Sequence, residues 1–111
     1  MSEELHILSF ATVHELWSWL ARNHDVNPGV WVKLQKAGSA EPSVGFGDLL
    51  EAGIAYGWSE NTRRAHTSTS YLQRFTHRRT QGTTSDRNMR IADRLEQEGR
   101  MTSAGRQALG R

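Results

Sequence analysis

The chain predicts an α+β fold, one small domain in which an antiparallel sheet with a hairpin is packed by three to four helices. Three observations carry this. Val30 to Lys36 alternates Val30, Val32 and Leu34 against Trp31, Lys33 and Gln35, the period of two that a half-buried strand requires. Two polar strand candidates, Trp58 to His66 and Tyr71 to Arg79, flank Thr67-Ser68-Thr69-Ser70, and a hairpin is the simplest connection between them. Around these strands, apolar residues recur at helical spacing behind residues that cap helices. At 111 residues, the chain is read as a single domain over 1–111, long enough to bury a core and too short for two.

Leu5 to Phe10 reads as a short strand or lead-in. Thr12 and Glu15 have the spacing of a capping box, opening a helix that runs to about Asn23. Val13, Leu16, Trp17 and Leu20 give that helix its buried face, and Trp19 lies off the stripe, so it packs elsewhere or stays partly exposed. Asn27-Pro28-Gly29 is turn chemistry, and Ala37 to Gly45 is a Gly/Ser/Pro loop. Phe46 to Tyr56 reads as a second helix with Phe46, Leu49, Leu50, Gly53 and Ile54 on one side, weakened by its glycines and ended by Gly57. After a loose Thr80 to Thr84, Ser85 caps a third helix to about Glu98, with Met89, Ile91, Ala92 and Leu95 apolar and Arg87, Arg90 and Arg94 on the far side. Gly99 stops it, and Thr102 starts a last short helix. The expected core is Leu16, Trp17, Leu20, Val32, Leu50, Ile54, Trp58, Phe75, Ile91 and Leu95.

Charge is distributed unevenly. Residues 1–60 hold three Lys and Arg against eight Asp and Glu, net −5, whereas residues 61–111 hold eleven against four, net +7. Every cation of the second half is arginine, whose planar fork suits phosphate and carboxylate. The densest stretch, Ser59 to Arg79, carries Arg63, Arg64, Arg74, Arg78 and Arg79. With Thr67 to Ser70 as the loop, Trp58 opposes Arg79, Glu60 opposes His77 and Arg63 opposes Arg74. Like charges directly opposed cost about 0.2–1 kcal/mol unless an anion or acid sits between them. Glu15, Asp48 or Glu51 of the acidic half could supply that acid. By parity, Arg63, Arg74 and Arg78 share a side with Ser59, Asn61, Ala65 and Thr76, while Arg64 and Arg79 share one with Trp58, Tyr71 and Phe75. The expected anion-binding set is therefore Arg63, Arg74 and Arg78, with Arg64 and Arg79 structural.

Other chemistries find less support. Glu60 across from His77 could orient a general base, but no nucleophile with a partner lies near in sequence. His6, His14, His24, His66 and His77 form no i, i+4 pair, and no Cys is present, so no metal site and no cofactor is expected. Gly45-Phe46-Gly47 is half a dinucleotide fingerprint that follows no clear strand, and it reads as a helix start. The Ser and Thr residues at 67–70 and 83–85 read as turn and cap residues. The acidic start Met1-Ser2-Glu3-Glu4, with no apolar run, leads to the expectation of a cytoplasmic protein with no membrane span.

The ordered set Trp19-Leu20, Pro28-Gly29-Val30-Trp31-Val32-Lys33, Tyr56-Gly57-Trp58, Tyr71 to Thr76 with Arg78-Arg79, Ser85 with Asn88, and Gly99 to Gly105 resembles the YdeI/OmpD-associated family over nearly the whole chain. The resemblance implies a role in bacteriocin or antimicrobial-peptide protection, without catalytic chemistry. The expectation is a non-enzymatic binding protein whose arginine face meets an anionic ligand or an acidic protein surface. The alternative is a nucleic-acid or phosphate-ligand binding protein, which the acids Asp86, Asp93, Glu96 and Glu98 disfavour for nucleic acid.

Overall fold

The structure, a computed structural model, describes residues 5–79 and 85–111; the expected loose stretch Thr80 to Thr84 and the acidic start Met1 to Glu4 lie outside them. It is the α+β domain that the sequence predicts. The elements in order are β1 (Ile7–Leu8), α1 (Val13–Asn23), β2 (Val30–Gln35), α2 (Phe46–Tyr56), β3 (Trp58–Ala65), β4 (Ser70–His77), α3 (Asp86–Gln97) and α4 (Ser103–Ala108). The four strands form one sheet in the order β1-β2-β4-β3. It is antiparallel except at one edge, where β1 runs parallel to β2 with Ile7 opposite Trp31. No described helix is long and apolar enough to cross a membrane.

Local chemistry sets the helix ends. Thr12 Oγ1 accepts from Glu15 N at 3.2 Å, Ser85 Oγ from Asn88 N at 3.2 Å and Thr102 Oγ1 from Gly105 N at 3.2 Å, each meeting one of the amides that a helix start leaves unpaired. The Glu15 carboxylate closes its box one residue early, accepting from Ala11 N rather than Thr12 N. Gly57 ends α2 in the left-handed region at φ +78, where a side chain would be strained.

Helix α2 is the shared wall of two apolar clusters. Leu49 and Ala52 face the sheet-side core with Leu16, Leu20, Val30, Val32, Leu34, Trp58 and Phe75, while Leu50, Ile54 and Ala55 face Ala92, Leu95, Met101 and Leu109 of the C-terminal helices and their connection. Gly53 is a packing position rather than a weakness: a Cβ there would lie 2.8 Å from the Trp58 carbonyl oxygen and 3.0 Å from Phe75 Cε1. Eight of the ten expected core residues are buried; Trp17 and Ile91 are half-buried. Val13 and Met89, expected on apolar faces, are exposed. Trp19 packs edge-on against Trp58, with ring centroids 5.6 Å apart, and so joins the core from off the stripe.

The hairpin register differs from the expected one. Trp58 lies opposite His77 rather than Arg79, Glu60 opposite Phe75 rather than His77, and Arg63 opposite Gln73 rather than Arg74. Between Glu60 and Arg63 the pairing slips, so that Asn61 and Thr62 together face Arg74, which is a β-bulge. The extra residue changes the phase of β3. Before it, Trp58 and Glu60 point toward the helices; after it, Arg63 and Ala65 do, and Arg64 turns to the opposite face. The buried Gln73 side chain spans this slip, with Nε2 donating to the Thr62 carbonyl at 3.3 Å and Oε1 accepting from Arg63 Nε at 3.5 Å.

Candidate functional site

Because of the bulge, Arg63, Arg74 and Arg78 do not share a face. Arg63 sits on the helix side, its guanidinium 4.3 Å from the Tyr71 ring centroid and 5.8 Å from that of Phe46. Arg74 is on the opposite sheet face, paired across the strands with Trp31. Arg64, expected to be structural and near the core, is exposed on that same opposite face, its guanidinium 4.3 Å from the Trp31 ring centroid. Arg78 leaves the sheet at the end of β4, its backbone N–H donating to the Gly57 carbonyl at 2.9 Å.

Arg78 lines a cleft of about 360 Å³ walled by His24, Asp25, Tyr56, Gly57, His77, Arg79 and residues of α4. Three local events build it. The end of α1 delivers His24 and Asp25, the left-handed Gly57 turns the chain sharply out of α2, and β4 finishes on His77 just before the two arginines. Thr102 anchors α4 as the far wall by donating its hydroxyl to the Ala55 carbonyl at 2.5 Å.

Both histidines are held in place. His24 Nδ1 lies 2.8 Å from the Leu20 carbonyl oxygen and His77 Nε2 lies 2.9 Å from that of Asn27. A carbonyl oxygen only accepts, so these nitrogens carry the protons, and His24 Nε2 and His77 Nδ1 are the acceptors of the neutral rings. Aromatic neighbours fix the ring planes, Tyr56 at 5.1 Å from His24 and Trp58 at 4.8 Å from His77. Arg78 is the unsatisfied member. Its Nε is buried with no hydrogen-bond partner, and burial pushes the guanidinium pKa below its usual value, with the nearby Glu60 charge partly opposing this. Glu60 Oε2 is likewise buried and unpartnered.

The expected Glu60 and His77 pair does not form across the strands, since Glu60 faces Phe75 and His77 is committed to Asn27. Among the described residues no Ser or Thr hydroxyl is hydrogen-bonded to a histidine, and no group of three or more His, Asp or Glu is placed to hold a metal ion. The cleft offers the cations Arg78 and Arg79 and two histidine side chains that can hold an anion, with the acid Asp25 also on its wall.

The acidic half does neutralise part of the basic half, at other arginines than the sequence suggested. Glu51 accepts from Arg94 at 2.9 Å and Arg100 at 3.0 Å, while Glu96, accepting from Arg106 at 2.9 Å, and Asp93, accepting from Arg111 at 2.6 Å, are acids of the basic half itself. Glu15 and Asp48 spend their carboxylates on the backbone amides of Ala11 and Gly45. Sequence reasoning named Arg78 and missed His24 and Asp25, which come from a helix end with no motif of its own.

No curated protein and no solved structure matches the chain. A family model described as "Domain of unknown function (DUF8412)" matches residues 8–108, which takes in every described strand and helix except Ile7 at the start of β1. The chain belongs to that family.

Proposed function

We propose that this protein is a non-enzymatic binding protein that takes a small anionic ligand in the cleft at the junction of α1, α2, β4 and α4, with Arg78 as the anchor. The observation that carries the reading is the buried, unpartnered Nε of Arg78 in a wall shared with His24 and His77. A half-buried guanidinium whose Nε makes no hydrogen bond is costly to keep even with the Glu60 charge near it, and an anion would meet that cost with a charge-assisted hydrogen bond. A phosphate-bearing ligand is favoured over a simple carboxylate by the two consecutive arginines, Arg78 and Arg79, at the same cleft. The resemblance of the motif order to that of the YdeI/OmpD-associated proteins favours a part in bacteriocin or antimicrobial-peptide protection, exercised by binding rather than turnover.

Titration of isotopically labelled protein with phosphate, acetate and nucleoside monophosphates, followed by amide and guanidinium shifts, tests this. The reading expects saturable shifts at Gly57, His77 and Arg78 that are lost in Arg78→Met. Shifts that persist in Arg78→Met, or none at the cleft with any anion, would defeat it.

A further inference from the structure

The phase change at the bulge has a product on the far side of the sheet. On the face turned away from the helices, strand alternation places Ile7 of β1; Trp31, Lys33 and Gln35 of β2; Ser70, Leu72, Arg74 and Thr76 of β4; and Ser59, Asn61 and Arg64 of β3. Lys33, Arg64 and Arg74 lie on this face, and Glu41 from the loop after β2 reaches its Gln35 corner, accepting from Gln35 Nε2 at 3.1 Å. In its middle, Leu72 is buried between Lys33 on one side and Arg64 on the other, and Ser70 and Thr76 are buried too, so the accessible part here is formed by the side chains of β2 and Arg64. The Arg64 side chain reaches across β4 to lie 4.3 Å from the centroid of the half-buried Trp31 ring. Arg64 itself is exposed. Held against an aromatic ring, its planar guanidinium can turn an outer surface to solvent as a flat, charged platform.

We infer that this sheet face binds single-stranded nucleic acid, with a base stacked on the Arg64–Trp31 pair and a flanking phosphate taken by Lys33. Single-stranded chains are the occupant whose chemistry matches both parts of the surface. Their unpaired bases stack on aromatic rings and on guanidinium planes, and their backbone supplies the negative charge that the cations of this face complement. A duplex keeps its bases stacked inside and would use only the cations. The inference stands apart from the Arg78 cleft, which lies at the end of β4, and either can fail without the other.

The test is fluorescence anisotropy of the full chain with a labelled 15-nucleotide oligo-dT, the same length of oligo-U and a duplex of equal length, across a salt series. Expected are saturable binding of the single strands in preference to the duplex and an affinity that falls as salt rises. Arg64→Ala should weaken single-strand binding about tenfold or more. Lys33→Gln should reduce the salt slope by about 0.7. Trp31→Leu, which keeps an apolar side chain in place, should weaken binding while the melting curve stays cooperative. Arg90→Ala, an exposed arginine of α3, should change none of these. No single-strand binding at low salt, equal affinity for the duplex, or equal losses in Arg64→Ala and Arg90→Ala would each overturn the inference.

Discussion

The side-chain amide of Gln73 donates to the carbonyl of Thr62 at 3.3 Å, across the point where β3 carries one residue more than its partner strand. That bond meets a backbone acceptor which the broken ladder leaves open, and the Gln73 oxygen turns to Arg63. A single buried glutamine thus helps hold the phase that separates Arg63 from Arg64. Gln73→Leu would leave the carbonyl of the exposed Thr62 without this donor, at a cost of about 0.5–1.5 kcal/mol. Urea unfolding should show the loss, and amide shifts from Asn61 to Arg64 should move with it. Unchanged stability together with unchanged shifts at those residues would show that the bulge holds without the clamp.

Gly53→Ala sets two effects against each other. Alanine favours a helix over glycine by about 1 kcal/mol. Its Cβ, however, would lie 2.8 Å from a backbone oxygen of Trp58, which cannot swing away as a side chain tip can. Overpacking at such a contact costs about 1–3 kcal/mol, so a net loss of stability is expected. A rise in Tm would mean that α2 and β3 separate easily.

Trp58 is fully buried, touching Trp19, Phe75 and His77, and its indole N–H donates to the His24 carbonyl at 3.2 Å. Trp58→Ala should cost about 3–5 kcal/mol in denaturant unfolding. The same change should shift the resonances of His24, because the residue that fills the core also fixes the end of α1 beside the cleft. A melting temperature equal to wild type would contradict the packing.

Acid should weaken the fold through the α2–α3 ion cluster. Burial alone would raise the Glu51 carboxyl, but the hydrogen bonds and charges of Arg94 and Arg100 outweigh it and hold the group below its ordinary value. The Arg106 hydrogen bond, with the charges of Arg106 and Arg111, does the same for Glu96. A carboxyl depressed in the folded state contributes stability above its unfolded pKa of about 4.3 and loses it as pH falls through the lower folded value. Glu51→Gln should therefore be less stable than wild type at neutral pH, with the difference vanishing well below the carboxylate range. Denaturant midpoints across that range would check it, and a gap that persists into strong acid would assign the effect to packing instead.

Arg78→Met should leave stability unchanged or raise it slightly, because it removes a half-buried charge whose Nε makes no hydrogen bond. Thermal melts in phosphate-free buffer measure this. A marked destabilisation would make Arg78 a structural counter-charge to Glu60.

The parts of the fold written in neighbouring residues could be read directly. Thr12, Ser85 and Thr102 cap their helices through an amide three positions on, and Gly57 ends α2 by its own conformation, so each signal is complete within one turn. The alternation from Val30 to Gln35 likewise reports its own burial. What escaped the sequence depends on partners far along the chain. A bulge leaves no mark of its own in Asn61-Thr62, and counting alternate residues across it assigned Arg63 and Arg64 to each other's faces. The cleft escaped for the same reason: His24, Gly57, Arg78 and Ala104 meet only once four separate segments have docked. Arg74 kept its expected face and Arg78 a place in the cleft, since both belong to β4 or follow it and neither depends on the phase of β3.

The strand order also bears on how copies of the chain behave toward one another. Both sheet edges are poor templates for a further strand. At one side β1 spans only Ile7–Leu8; at the other, β3 is kinked by its extra residue and exposes Arg63 and Arg64. Two molecules meeting along β3 would bring arginine against arginine over an interrupted row of hydrogen-bonding groups, the arrangement by which natural sheets discourage edge-to-edge aggregation. The residue that sets the aim of the arginines therefore also helps to keep a concentrated solution of the protein from growing into ribbons.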